Sequence, residues 1–367
     1  MVKKWSDVLT IVSGKNQKTV VSSGGKYPIY GSGGIMGYAS NYLCEAGTTI
    51  VGRKGTINKP IFVNEPFWNV DTAFGISPGN ELHPKYLYYF CCSFNFKELD
   101  KSTTIPSLAK RDLLQIEMPV PSLSEQERIV SKIEELFSKL DASVAELKTA
   151  KEKLKVYRQA VLKEAFTGLS NKRPIREMTS IVTSGSRGWA KYYSNSGAKF
   201  IRIGNLTRDS IKIDLSEPQY VSPPVNAEGA RTKLQPNDVL VSITADLGSI
   251  GLVTEVVGEA YINQHLALVR FKNSEQSEFM AWYLRSDWGQ KDLLKNKRGA
   301  GKLGLGLNDI RDAKVPVVSD EQAKTIVFEI SGRLSVCDSI EQTIDTSLQK
   351  AEAMRQSILK QAFEGRL

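Results

Sequence analysis

The chain has 367 residues, 24% charged and 41% apolar, with a formal net charge of +9. That suits two or three globular units and excludes a disordered or collagen-like chain. Two histidines and four cysteines leave little for metal or disulfide chemistry, and Cys44, Cys91, Cys92 and Cys337 read as reduced core thiols. No apolar run approaches the ~20 residues of a membrane helix. Residues 1–5 lead straight into turn-rich sequence, so no signal peptide is expected and the location reads as cytoplasmic.

In chain order, residues 1–117 read as mixed sheet with short helices, because β-branched runs are broken by Gly, Asn and Pro. At Pro119-Val120-Pro121-Ser122-Leu123-Ser124-Glu125-Gln126 a long helical pattern begins, and 118–168 form one segment. It closes on Arg158-Gln159-Ala160-Val161-Leu162-Lys163-Glu164-Ala165-Phe166-Thr167-Gly168. Residues 169–314 return to the first pattern. Residues 315–367 then repeat the second, from Pro316 to Arg355-Gln356-Ser357-Ile358-Leu359-Lys360-Gln361-Ala362-Phe363-Glu364-Gly365. The shared RQxxLKxAFxG string recurs at an offset of 197, so the chain is a duplication. Weaker echoes link 9–14 with 179–185 and 47–51 with 237–241.

Both helices carry heptads. Ile133, Leu140, Leu147, Leu154 and Val161 fall seven apart, as do Ile330, Cys337, Ile344, Ala351 and Ile358. Companions three residues later are Leu136, Ser143, Ala150 and Tyr157 in the first helix, and Arg333, Ile340, Ser347 and Met354 in the second. Ser124 with Glu127 predicts an N-terminal capping box, and Gly168 and Gly365 predict the ends. The pattern predicts an intramolecular antiparallel coiled coil, with looser packing or a solvent-facing side chain at Arg333. About 33 seam residues at ~1.5 Å each give a spacer of roughly 50 Å. The fold class is therefore α+β: two similar mixed-sheet domains separated by two long helices with pseudo-twofold symmetry.

The globular segments 1–117 and 169–314 carry net charges of +4 and +6, and the helical regions together carry −1. Two basic modules on a spacer fit two contacts with a polyanion. Candidate contacts are residues able to reach phosphates or base edges from loops. In the first module they are Lys15, Lys26, Tyr30, Ser32, Arg53, Lys54, Lys101 and Thr103. In the second they are Arg187, Arg202, Asn205, Thr244, Asn263, Gln264, Lys295, Lys297, Arg298 and Lys302. His265 reads as a structural histidine. Enzyme signatures fail. Asn64-Glu65-Pro66-Phe67 and Tyr30-Gly31-Ser32-Gly33-Gly34 lie in no strand–loop–helix series, and Gly299-Ala300-Gly301-Lys302 lacks P-loop spacing. The chain reads as a binder, with no catalytic residue and no metal site.

The strings Pro119–Ile129 and Arg158–Gly168, repeated at Pro316–Ile326 and Arg355–Gly365 after a basic variable domain, resemble the specificity subunit of a type I restriction-modification enzyme. The second copy departs at Val318 and in the residue added after Gln322. The resemblance covers the whole chain and implies two target recognition domains, each reading half of a split site in double-stranded DNA. It implies helices that set the unread spacer and dock two modification subunits, which carry S-adenosylmethionine and methylate adenine N6. A restriction and motor subunit would complete the complex, and this chain would bind no cofactor. The target adenine must leave the stack, so the DNA would be distorted. A coiled-coil adaptor with protein-binding end domains and no DNA recognition is the alternative.

Overall fold

The structure is a computed structural model that describes residues 1–223, 227–295, 297 and 304–367. It divides into two units, each holding one globular segment and part of each long helix. Unit 1 is Met1–Thr149 with Ile344–Leu367, and unit 2 is Ala150–Thr343.

In unit 1 the β-branched runs form an antiparallel sheet in the order Leu9–Ser13, Ala73–Pro78, Thr48–Gly52, Ile61–Val63. Thr48–Gly52 is buried along its whole length, which explains its unbroken apolar character. A second sheet orders Gly34–Ala39, Tyr27–Gly31 and Trp68–Asn69, the last two parallel. Helix Pro84–Ser93 begins on a proline, where a missing N–H costs nothing, and drives Tyr86, Leu87 and Phe90 into the core.

Unit 2 repeats the plan. Its antiparallel sheet runs Thr179–Ser184, Leu266–Phe271, Val239–Ser242, Ile250–Leu252. Its second sheet runs Tyr193–Ser194, Gln219–Val221, Ala198–Ile201, Ala260–Ile262, again ending on a parallel pair. The echoes at 9–14 with 179–185 and at 47–51 with 237–241 thus mark strands in matching places. Glycine is required at one matching point. A Cβ on Gly14 would strike the Val70 carbonyl, and one on Gly185 would strike the carbonyls of Ile262 and Asn263. A two-stranded tie closes each globular segment, Val2–Lys4 with Glu117–Pro119 and Lys172–Pro174 with Lys314–Pro316.

The long helices span Leu123–Ala165 and Asp320–Phe363. Ser122 and Ser319, 197 apart, cap them through Glu125 N–H and Gln322 N–H. The expected Ser124–Glu127 box is thus replaced by a cap two residues earlier, and Ser124 lies inside the first turn. Gly168 and Gly365 take φ of 85° and 70°, the left-handed conformation expected just past the ends.

The heptad residues point inward: Ile133, Val161, Ile330, Cys337 and Ile344 are buried, and Leu140, Leu147, Leu154, Ala351 and Ile358 are half-buried. Half of their companions differ from the expectation. Leu136, Ala150, Arg333 and Ser347 are half-buried, but Ser143, Tyr157, Ile340 and Met354 are exposed, and further inward residues stand four positions on: Phe137, Val144, Lys151, Arg158, Leu334, Glu341, Leu348 and Arg355. Several are charged because they pair inside the seam. In unit 2, Arg158 bridges Asp338 at 2.7 Å and Glu341 at 3.0 Å, and Arg333 bridges Glu164 at 2.9 Å. In unit 1, Arg355 bridges Asp141, and Arg128 donates to the Leu367 carbonyl at 3.0 Å. Rising numbers meet falling ones, so the helices are antiparallel in each unit. Arg158–Asp338 and Arg355–Asp141 are the same pair displaced by 197 residues. Arg333 stays on the flank, against the Tyr157 ring.

The closing strings fasten helix to globule. Phe363 packs on Tyr86 and Phe90 at 5.1 and 5.3 Å, and Phe166 packs on Phe279 and Tyr283 at 5.6 and 5.3 Å. All four cysteines are free. Burial pushes the Cys44 thiol up to about 12 and Cys92 to about 11, so both stay protonated and poorly nucleophilic.

Candidate nucleic-acid interface

In unit 1, the interior strand Thr48–Gly52 runs out into a turn at its C-terminal end. Arg53 N–H donates to the Thr72 carbonyl, and Leu108 N–H donates to the Arg53 carbonyl. Lys54 bridges Ser107, and Gly55 takes φ 81°. Arg53 is half-buried, its guanidinium 6.0 Å from the Phe74 ring centroid, and Nη1 donates to the Asp71 carbonyl at 3.3 Å. Ser32 stands beside this turn, 3.7 Å from where a Cβ on Gly55 would lie. Arg53 and Lys101 line one recess of about 600 Å³, with Ser13, Phe74, Lys110 and Arg111.

Lys101 pairs with Asp112 at 3.1 Å but keeps most of its surface in solvent. Lys54 and Thr103 are exposed. Outside the recess, Lys15 is exposed, its carbonyl accepting from Trp68 Nε1, and Lys26 lies 5.8 Å from the Tyr27 ring centroid. Tyr30 packs edge-on to Phe67, and burial raises its hydroxyl pKa.

The same turn stands in unit 2. Ile243 N–H donates to the His265 carbonyl, Leu305 N–H donates to the Ile243 carbonyl, and Thr244 bridges Gly304. Ala245 takes φ 56°, where unit 1 has Gly55. A Cβ on Gly52 would strike the Thr56 carbonyl, and Ser242, in the matching place, donates its hydroxyl to the Asp246 carbonyl instead. Residues 52–56 thus match 242–246. Thr244 Oγ1 lies 2.7 Å from His265 Nδ1, Gln264 Nε2 lies 2.8 Å from His265 Nε2, and Asn263 Oδ1 accepts from His265 N–H. Arg208 Nε donates to Asp246 at 2.7 Å, and this guanidinium holds the carboxyl below the usual carboxylate range.

Arg187, Lys295 and Lys297 are exposed and Arg202 is half-buried. Asn205 is buried; its Oδ1 accepts from Arg202 N–H and its Nδ2 donates to the Asp214 carbonyl, both at 2.8 Å. Its amide shapes the turn and has no edge left for a base. Arg298 and Lys302 lie outside the described residues.

Sequence reasoning missed Lys110, Arg111 and Arg208. Lys110 has a fold role, donating to the Ile11 carbonyl at 2.7 Å. Arg311 does the same to Val182 in unit 2, at 2.8 Å. A match of the two modules flags Lys110, through the carbonyls that it and Arg311 reach. Among the described residues, no group of His, Cys, Asp or Glu is placed to hold a metal, and no helix is long and apolar enough to cross a membrane.

Residues 1–154 match a family model described as type I restriction modification DNA specificity domain. The chain is 26% identical over 351 residues to the type I restriction enzyme EcoBI specificity subunit of Escherichia coli, covering 87% of this chain and 73% of that one. It is 23% identical to the StySPI specificity subunit of Salmonella potsdam, covering 86% and 73%. The chain is a relative of the type I specificity subunits. Two solved structures share the fold of this specificity-subunit relative. One, from work on complex assembly and conformational transition of the type I R-M system, has a TM-score of 0.78 at 16% identity, covering 100% and 98% of the two chains. The HsdS subunit from Thermoanaerobacter tengcongensis has a TM-score of 0.58 at 16% identity, covering 100% and 97%. The expectation of a specificity subunit rather than an enzyme in its own right agrees with the name these relatives carry.

Proposed function

We propose that each unit reads one half of a bipartite site in duplex DNA, and that the two long helices set the unread spacer and dock two modification subunits. The observation that carries this reading is the turn at residues 52–56 and 242–246. One backbone device recurs at the end of the matching strand in both units, with Arg53 and Lys54 in one and Ile243 and Thr244 in the other. A repeated frame holding different side chains is what two readers of different half-sequences need. The net charges of +4 and +6 on the globular segments supply the phosphate attraction.

S-adenosylmethionine and the methyl transfer to adenine belong to the modification subunits, and this chain binds no cofactor. A restriction subunit adds to the same complex, which works in the cytoplasm. Arg53→Ala tests the reading: at fixed salt it weakens binding of the cognate duplex by about 1–3 kcal/mol. Unchanged affinity and unchanged site preference would remove Arg53 from the interface.

A further inference from the structure

The turn of unit 2 is wired through a single imidazole. Gln264 presents its amide nitrogen to His265 Nε2 at 2.8 Å, and an amide nitrogen can only donate. His265 Nε2 therefore holds a lone pair, and in the neutral ring the proton sits on Nδ1, donated to the Thr244 hydroxyl oxygen at 2.7 Å. Valence fixes the rest. The Thr244 hydroxyl already accepts, so its own proton is free to donate away from the ring. Gln264 has turned its NH2 inward, so Oε1 faces away as an acceptor. The frame is held as well: Asn263 Oδ1 accepts from His265 N–H, and the His265 carbonyl accepts from Ile243 N–H. Ala245 holds a left-handed φ of 56° directly after Thr244, a conformation that a non-glycine residue keeps only when its surroundings enforce it. In unit 1 the matching places hold Lys54, Asp71 and Thr72, so this imidazole relay belongs to unit 2.

We infer that Thr244 and Gln264 are specificity-determining residues of the half-site read by unit 2, with His265 as their positioning residue. Thr244 donates to a base acceptor, either a purine N7, guanine O6 or thymine O4. Gln264 Oε1 accepts from an exocyclic amino group, adenine N6 or cytosine N4. The two groups stand at opposite ends of the imidazole, so they address neighbouring base pairs. This inference rests on the reading proposed above.

The test uses the chain co-expressed with the modification subunit of its own genome, with N6-methyladenine mapped across host DNA by single-molecule sequencing. Gln264→Ala lowers discrimination about tenfold at one base pair of the second half-site, and Thr244→Val does so at its neighbour. The first half-site stays unchanged in both. His265→Phe relaxes both base pairs together. His265→Asn can set its Nδ2 donor where Nδ1 stood but reaches no atom to the place of Nε2, so it restores preference at the Thr244 base pair alone. A bipartite wild-type motif that survives unaltered in Gln264→Ala and Thr244→Val overturns this inference and leaves the reading standing. Loss of the whole second half-site in both His265 variants overturns the positioning role. A wild-type complex that methylates no bipartite motif overturns the reading and this inference together.

Discussion

Four residues inserted between Ala145 and Lys148 lengthen the preferred spacer and leave both half-sequences unchanged. Each helical residue rises ~1.5 Å, so the insertion adds ~6 Å. Base pairs stack at about 3.4 Å, so the spacer grows by at most about two. Four is the right number because four residues turn the helix ~400°, about 40° past a full turn. The inward face carrying Val144, Lys151, Leu154 and Arg158 then stays close to its partner helix. Two residues would turn it ~200° and send that face into solvent. Mapping methylated adenines in the complex of the inserted chain checks the result, and an unaltered spacer would refute the proposal that the helices set it.

Asp238→Ala destabilises unit 2 by about 3–5 kcal/mol, because it leaves a charge without its partner. Both Asp238 oxygens accept from Arg270, Nε and Nη2 each at 2.7 Å, and Oδ2 also accepts from Gln235 N–H at 2.8 Å. The Asp238 side chain is 1% exposed and that of Arg270 21%, so water reaches the pair only from the arginine side. The pair clips strand Val239–Ser242 to strand Leu266–Phe271, the two strands that lead into Thr244 and His265. Loss of the clip therefore disorders the reading turn as well as the sheet. Denaturant unfolding measures the cost, and a change under 1 kcal/mol would show that the pair contributes nothing net. Arg270→Leu with Asp238→Leu should recover much of the loss, because no unpaired charge remains.

The duplication was legible from residues 197 apart, and the same offset relates Ser122 to Ser319, Arg158 to Arg355 and Phe166 to Phe363. Helix ends were legible because glycine is the residue that tolerates the left-handed step, as Gly168 and Gly365 show. The seam was only half legible. A hydrophobic pattern finds Leu140 and Ile344 but passes over Lys151, Arg158, Glu341 and Arg355, which enter the interface as ion pairs. The candidate interface was legible as loops but not as a pair of equivalent turns. Gly52-Arg53-Lys54-Gly55-Thr56 and Ser242-Ile243-Thr244-Ala245-Asp246 share no residue, and what joins them is a set of backbone bonds. Asn205 shows the opposite error, since a polar residue in a loop resembles a base reader until its amide is seen spent on Arg202 and Asp214.

The central claim is that two readers on one chain address two half-sequences independently. The most direct measurement exchanges residues 1–117 for the corresponding segment of a type I specificity subunit of known site, in complex with the modification subunit. N6-methyladenine is then mapped across the host DNA. The account predicts a split motif in which one half changes to that of the donor while the other half and the spacer stay the same. A motif that changes in both halves, or no split motif from a stable complex, would contradict it.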